Sequence, residues 1–542
     1  MKRILLLIAC LGVAAAQDEV SLTLVSRIKT EAFDHSKVMD HLSYLTDVYG
    51  PRLTASPEYR QAAEWAAGRL KEYGLANVHM EKWPFGRSWS LRQFSVEMTE
   101  PRYRLLNAVP LAWSSSTNGP IAGELIVAVW PKNIWLPKNG EEALQKYKKE
   151  WTGKLRGKIV LLAQPKELKP STGVAFKRYT DAELADEAKA PEPFAMSDAK
   201  LNELKFPEEE EELSKYLRTV PDYLQEQLWD RAESLLVKGA QFFHDEGVLA
   251  VVPFDDRSHN GMVFAEAAGS FKSKDAMAPP TFTLTAEDFN RIARVLDKKV
   301  PVKLRLNLQA EYSNADADGL NILGEIPGTG AKKDEIVMVG AHFDSWHSGT
   351  GATDNGAGSA VMIEVMRILK SLNLKLDRTV RIGLWGGEEQ GYYGSRAYVK
   401  EHLGDPKTMK LTAEHAKFSG YFNFDNGSGK IRGVYLQGND AMRPLFERWL
   451  APFHDLGVTT VSIRDTGGTD HLSFDAVGLP GFQFIQDPLD YDAITHHGTM
   501  DTYDHAVPAD LMQSAAVIAT LVCDAANRPD MLPRKPLPKP QN

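Results

Sequence analysis

The chain has 542 residues, of which 43% are hydrophobic and 25% are charged. This is the composition of a globular protein long enough for more than one domain, and it excludes disorder throughout the chain. The formal net charge of -9 at pH 7 disfavours nucleic acid or an anionic membrane surface as a partner.

The N-terminus predicts a secretory signal peptide. Two basic residues precede an apolar stretch from Ile4 to Ala16 that ends in three alanines, and this order predicts cleavage after residue 16. The stretch is too short to span a membrane, which needs about 20 residues; lipidation of Cys10 is an alternative. Once the leader is removed, Cys523 is the only cysteine, so we expect no internal disulfide and a bacterial protein that is secreted or periplasmic.

The predicted elements then form successive groups along the chain. Two helices are expected between Ser36 and Leu75, and short β-like runs such as Gly157 to Leu162 follow, interrupted by a charged helical insertion near 165–230. From residue 321 strands alternate with helices, which predicts an α/β fold: a mostly parallel central sheet with helices on both faces. The proline-rich tail at 528–542 is expected to be disordered.

Polar residues follow the strand predicted near 335–340. His342 is a candidate metal ligand, and Asp344, two residues further on, could accept the second ring N–H of His342. A surface polar pair is the alternative for this motif taken alone. Asp354 lies at the start of an apolar helix, where it could either cap that helix or bridge two cations through its two carboxylate oxygens.

Glu388 and Glu389 stand side by side after the predicted strand Thr379 to Trp385. Adjacent like charges repel unless positive charge lies nearby, so one acid is expected to bind metal while its neighbour takes a proton from water. An exposed acidic turn is the alternative. Asp425 and His497 complete a set of imidazole and carboxylate ligands, which suits zinc.

These motifs resemble those of the co-catalytic zinc exopeptidases, the family that includes bacterial leucyl aminopeptidases, glutamate carboxypeptidase and carboxypeptidase Q. The resemblance covers most of the chain, from about residue 36 to about residue 525, and Asp344-Ser345-Trp346 and Glu388-Glu389-Gln390-Gly391 are especially similar to carboxypeptidase Q. It rests on these motifs: His342-Phe343-Asp344, Thr353-Asp354-Asn355-Gly356, Glu388-Glu389, Asp425, and His497 followed four positions later by Asp501-Thr502.

The resemblance implies two Zn²⁺ per chain and an attacking hydroxide held between them. Glu388 would be the general base, which later passes the proton to the leaving amine, and Asp344 would support the site. His497 is preferred to its neighbour His496 because of its spacing to Asp501. The implied ligands are Asp354 bridging both ions, His342 and Asp425 at one ion, and Glu389 and His497 at the other.

The resemblance also implies how the chain is divided. The expected parts are a signal peptide at 1–16, the N-terminal part of the peptidase domain at 17–112, a β-rich protease-associated domain with the helical insertion at 113–312, the di-zinc peptidase domain at 313–527, and the tail at 528–542.

The expected function is an exported zinc exopeptidase, either an aminopeptidase or a carboxypeptidase Q-like dipeptidase, with a peptide or dipeptide substrate. No membrane span or nucleic-acid partner is expected, and the resemblance allows a homodimer.

One alternative is a related zinc amide hydrolase or glutaminyl cyclase-like transferase, against which the Glu388-Glu389 pair weighs. Another is a non-catalytic receptor-like binding protein, which should lack ligands. His347 replaces an acid of the carboxypeptidase Q pattern, and this departure bears on substrate preference.

Overall fold

The computed structural model describes residues 20–137, 140–168, 175–193, 200–207, 209–217, 220, 222–255 and 257–540. The predicted signal peptide at 1–16, with Cys10, lies outside the described residues.

Helices and strands alternate over most of the described chain. The helices are α1 (Leu22–Asp34), α2 (Val38–Ser43), α3 (Pro57–Glu72), α4 (Gly140–Trp151), α5 (Asp181–Ala188), α6 (Glu210–Leu217), α7 (Asp222–Glu246), α8 (Ala286–Asp297), α9 (Ala357–Ser371), α10 (Tyr393–His402), α11 (Arg443–Leu450), α12 (His471–Asp475) and α13 (Pro508–Asn527). The strands are β1 (Ala76–Glu100), β2 (Arg104–Leu105), β3 (Ala108–Pro110), β4 (Ile121–Val127), β5 (Ile159–Leu161), β6 (Ala250–Val252), β7 (Phe282–Leu284), β8 (Lys303–Ile326), β9 (Ile336–His342), β10 (Thr379–Trp385), β11 (Gly404–Asp405), β12 (Lys410–Leu411), β13 (Phe418–Asn423), β14 (Ile431–Tyr435), β15 (Thr460–Ser462) and β16 (Gly481–Gln486).

The central sheet has the strand order β15-β14-β16-β13-β9-β10-β8. Its middle strands, β16, β13, β9 and β10, are parallel to one another, while β8 runs antiparallel to β10 and β14 runs antiparallel to β16. Side chains alternate across β9: Val337 and Val339 pack with α1, α3, α9 and α13, whereas Met338 packs with α10 and α12 on the other face. The predicted fold class, a mostly parallel sheet with helices on both faces, is confirmed.

One helix among the described residues, α13, is long and apolar enough to cross a membrane. The most apolar 18-residue stretch of this helix is 83% buried within the protein, and the helix packs against α1, α9 and α11. We therefore describe α13 as a core helix of the main domain, which consists of the central sheet and the helices that pack on it.

Two long strands connect the central sheet to an inserted region, which we define as residues 104–302, between β1 and β8. β1 and β8 pair antiparallel along almost their whole length, from Ala76 opposite Glu325 to Glu100 opposite Lys303. The inserted region extends the sheet through β4, β5 and β6 and has an apolar core of its own. The domain boundary expected at 312/313 falls inside β8, which runs unbroken into the central sheet.

Part of the charged insertion packs against the main domain. Arg178 Nη1 contacts the buried carboxylates of Asp487 at 2.8 Å and Asp510 at 2.7 Å. The following helix, α5, packs against β15, where the Ser462 hydroxyl donates to the Glu187 carbonyl at 2.8 Å. This part of the insertion is therefore attached to the edge of the sheet that carries β14, β15 and β16.

The prediction of a disordered tail is wrong for residues 528–540. Leu532 is only 2% exposed and belongs to the main core, and its N–H donates to the Ser419 hydroxyl at 3.2 Å. Arg534 Nη2 donates to the carbonyls of His415 and Phe418 at 3.0 and 2.6 Å. The prolines favour an extended chain, and one apolar side chain with one arginine is enough to fix it beside β13.

The half-buried side chain of His402 makes the stability of the fold depend on pH. His402 Nε2 lies 3.1 Å from the Glu81 carboxylate, and Nδ1 lies 3.8 Å from that of Glu414. Interaction with the carboxylates of Glu414 and Glu81 raises the pKa of His402 to about 9. Because this pKa is above the unfolded value of about 6.5, the stabilisation is complete below that pH and is lost as the pH rises through about 9.

We therefore expect His402→Gln to lower the free energy of unfolding at pH 6 by about 1 to 2 kcal/mol, with screening by solvent taken into account. The deficit should disappear near pH 10, as measured by denaturant unfolding. His454→Gln, at an exposed histidine, is the control and should match the unsubstituted protein at both pH values. A deficit that is the same at pH 6 and pH 10 would contradict the role assigned to the charge.

Candidate metal centre

The candidate residues meet at the carboxyl edge of the central sheet. β9 ends at His342, directly opposite Trp385 at the end of the parallel strand β10, and Glu388 and Glu389 follow in the next turn. β13 ends at Asn423, two residues before Asp425. Carboxyl ends of parallel strands share one edge, so these segments deliver their polar side chains to the same place.

Two groups of side chains share Asp354. His342 Nε2 lies 3.2 Å from Asp354 Oδ1 and 3.5 Å from Asp425 Oδ1. His497 Nε2 lies 3.3 Å from Asp354 Oδ2 and 3.0 Å from Glu389 Oε2. The two carboxylate oxygens of Asp354 therefore face different histidines.

Several of these atoms are buried without a hydrogen-bond partner among the described residues: His342 Nε2, Asp354 Oδ2, Glu389 Oε1 and Asp425 Oδ1. Buried polar atoms are nearly always paired, because an unpaired one costs about 1 to 3 kcal/mol. Divalent cations placed in the two groups would satisfy these atoms. The donor set of imidazole nitrogens and carboxylate oxygens fits zinc.

Burial and crowding of like charges shift the pKa values of the two adjacent glutamates. Burial, with a further contribution from the charge of Asp354, raises the pKa of Glu389 to about 8. Burial also raises the pKa of Glu388 well above its usual value, and the charges of Asp425 and Asp470 add to this. Nearby positive charge favours ionised carboxylates, so this crowded group of acids also suits a cation.

Asp344 supports the centre differently from the prediction. The expected contact of its carboxylate with His342 Nδ1 is long, at 3.6 Å, and the Asp344 backbone carbonyl instead accepts from Nδ1 at 3.0 Å. The carboxylate accepts from the Thr54 hydroxyl at 2.8 Å and from the backbone N–H groups of Glu388 and Glu389 at 3.2 and 3.4 Å. Asp344 therefore fixes the turn that presents the two glutamates.

Asp354 does not cap the helix that follows it. Its backbone dihedral angles, φ -130° and ψ 89°, are not helical, and the Asn355 side chain accepts from Gly358 N at 2.8 Å in its place. The Asp501 carboxylate accepts from Thr353 N at 2.6 Å and from Asp354 N at 3.3 Å. Asp501 thus holds the backbone that directs Asp354 into the centre.

Both histidines of the pair at 496 and 497 lie near Asp354. His496 Nε2 is 3.9 Å from Asp354 Oδ2, against 3.3 Å for His497, and its side chain is 38% exposed, against 16%. The nearer and better buried His497 is the one that also contacts Glu389.

Sequence reasoning missed two residues beside the centre. Glu266, in the inserted region, has Oε1 2.8 Å from His497 Nδ1. Asp470 is fully buried, and neither carboxylate oxygen has a hydrogen-bond partner in the described chain. No local motif marks Glu266, which is 231 residues from its partner. The adjacent pair Asp470-His471 is a polar signal that could have drawn attention to Asp470.

The chain is similar in sequence to known peptidases. Residues 321–522 match peptidase family M28. Carboxypeptidase Q of Bos taurus is 26% identical over 523 residues, which cover 96% of this chain and 90% of that protein.

Two solved structures share the fold. The peptidase M28 precursor from Shewanella amazonensis is 24% identical with a TM-score of 0.64, covering 95% of this chain and 98% of that one. The zinc aminopeptidase from Bacillus subtilis is 19% identical with a TM-score of 0.54, covering 91% and 94%. The resemblance to co-catalytic zinc exopeptidases is thereby confirmed, and these findings support a zinc metallo-exopeptidase.

Proposed function

We propose that this chain hydrolyses peptides with two zinc ions that share Asp354. The observation that carries the proposal is the placement of the two Asp354 oxygens, one 3.2 Å from His342 Nε2 and the other 3.3 Å from His497 Nε2. Asp425 would complete the first site and Glu389 the second. Zinc commonly binds such imidazole and carboxylate sets.

Glu388 is the proposed general base. When bound, zinc supplies Lewis-acid polarisation of the scissile carbonyl and acidifies the attacking water. Glu388 adjoins the ligand Glu389, and its carbonyl accepts from Gly391 N at 2.8 Å, which fixes the turn. Its raised pKa suits a group that must accept a proton from water and then give it to the leaving amine. Asp344 positions this turn through the two backbone N–H groups.

The surroundings of the centre favour a free amino terminus over a free carboxyl terminus. Asp470 adds a buried acid close enough for its charge to raise the pKa of Glu388. A carboxylate beside the centre attracts an amine and repels another carboxylate. The candidate ligands His342 and Asp425 are 1% and 5% exposed, which favours short peptide ends over internal segments of a folded chain.

A panel of dipeptides tests this function. We expect chelator-sensitive hydrolysis of an unblocked dipeptide, little loss when the carboxyl end is amidated, and a loss of more than about 100-fold when the amine is acetylated, because a buried acid left without its amine costs 1 to 3 kcal/mol and the bulky acetyl group adds to that. Cleavage of a peptide blocked at both ends would contradict an exopeptidase. Release of ammonia from N-terminal glutamine without peptide cleavage would favour the cyclase-like alternative.

The proposal also includes export through removal of residues 1–16, supported by the apolar stretch that follows Lys2 and Arg3. N-terminal sequencing of the protein recovered outside the cytoplasm should begin at Gln17. An N-terminus that retains the leader would contradict export by this route.

A further inference from the structure

The inserted region contacts the loop that carries His497. This loop, residues 487–507, connects β16 to α13. Phe264 of the inserted region forms an antiparallel bridge with Gly498, and Thr499 N donates to the Val263 carbonyl at 2.9 Å. Val263 and Phe264 lie outside residues 321–522, the segment that matches peptidase family M28. They nevertheless touch the loop of that segment that holds the candidate ligand His497.

Glu266 contacts the His497 ring on the side away from the other candidate ligands. Glu266 Oε1 lies 2.8 Å from Nδ1, whereas Nε2 faces Glu389 at 3.0 Å and Asp354 at 3.3 Å. A carboxylate that accepts the Nδ1 proton leaves the Nε2 lone pair free for a metal and fixes the orientation of the ring.

The contact between Glu266 and His497 lies at the edge of the metal centre, and Arg257 supports it. Arg257 Nη2 contacts Glu266 at 3.3 Å and Asp255 at 2.8 Å. The side chains of Arg257 and Glu266 are 39% and 44% exposed, so neither fills the core. Replacing Glu266 should therefore leave the fold intact.

The backbone of His497 also depends on its neighbours. Its φ of 65° lies in the left-handed region, which is unfavourable for a residue with a side chain. The His497 carbonyl accepts from the Ser348 hydroxyl at 2.7 Å and from Ala265 N at 3.4 Å. One of these two donors belongs to the inserted region, beside Glu266.

We propose that Glu266 is a positioning residue for the peptidase site, holding His497 in the tautomer and orientation that bind zinc, so that the inserted region completes the metal centre. This inference rests on the proposed function, because it takes His497 as a zinc ligand. Its specific consequence is that loss of the Glu266 carboxylate weakens the zinc site of Glu389 and His497 and spares that of His342 and Asp425.

The experiment compares full-length Glu266→Leu and Glu266→Gln with the unsubstituted protein, following zinc release to a chelator and hydrolysis of a dipeptide. In Glu266→Leu we expect one zinc equivalent to be released about 10 to 100 times more readily and kcat/KM to fall by a similar factor. Glu266→Gln should show a smaller change, because an amide oxygen still accepts the Nδ1 proton. Glu287→Gln, at an exposed acid of the inserted region paired with Arg294, should change neither measurement.

Two outcomes would overturn the inference. One is unchanged zinc release in Glu266→Leu; the other is equal weakening of both zinc equivalents together with a lowered melting temperature, which would indicate a general structural role. Both differ from failure of the proposed function, in which the unsubstituted protein itself would bind no zinc and hydrolyse no dipeptide.

Discussion

Replacement of Glu388 by glutamine is expected to lower kcat by about 10³-fold, within the range that general bases contribute, while zinc content stays unchanged. The amide has the size of the carboxylate but cannot accept a proton from water. Among the described residues, the short contacts of His342 Nε2 and His497 Nε2 are with carboxylates other than that of Glu388. The Glu388 backbone N–H donates to the Asp344 carboxylate. Steady-state kinetics on a dipeptide and zinc analysis of the same preparation provide the measurement.

Glu401→Gln is the matched control for this substitution. Glu401 lies on α10 and is exposed, so its loss should leave both kcat and zinc content unchanged. If Glu388→Gln retained activity within tenfold of the original, the base would have to be another residue. If zinc were lost in parallel with activity, Glu388 would be a ligand.

Replacement of Asp354 should have the broadest effect, because both groups of candidate ligands depend on it. In Asp354→Ala we expect zinc content to fall below one ion per chain and kcat/KM to fall by more than about 100-fold, beyond what supporting residues usually contribute. Asp354→Asn should retain more zinc, because its remaining carbonyl oxygen can serve one ion. Zinc analysis after dialysis against a weak chelator distinguishes the two variants.

The control for Asp354 is Asp440→Asn, at an exposed acid that pairs with Arg443. It should bind zinc and hydrolyse the dipeptide as the original does. Full zinc occupancy in Asp354→Ala would exclude a bridging role for this residue.

The pattern of apolar strands followed by polar residues was sufficient to predict the fold class and the convergence of the candidate ligands. This works because parallel strands end at one edge of a sheet, so that neighbours such as His342 and Asp425 are brought together by topology alone. The pattern was less informative about Asp344. β9 ends at His342, and beyond that point the alternation of side chains along a strand no longer applies. The Asp344 carbonyl rather than its carboxylate therefore meets the imidazole.

Contacts between distant segments could not be predicted in this way. Glu266 lies in the inserted region and His497 in the loop at 487–507, and no spacing in the sequence relates the two. The attachment of Arg178 to Asp487 is equally non-local. In the tail, composition favoured disorder, but the burial of Leu532 and the hydrogen bonds of Arg534 hold the segment beside β13. Such contacts depend on tertiary packing rather than on local pattern.

Zinc titration of the chelator-treated protein, with activity followed at each step, shows directly whether two zinc ions share Asp354. We expect two equivalents to bind per chain, zinc to restore activity, and binding of both equivalents to be weaker in Asp354→Ala. A protein that hydrolyses dipeptides fully with one equivalent, or that binds zinc without dependence on Asp354, would contradict this sharing.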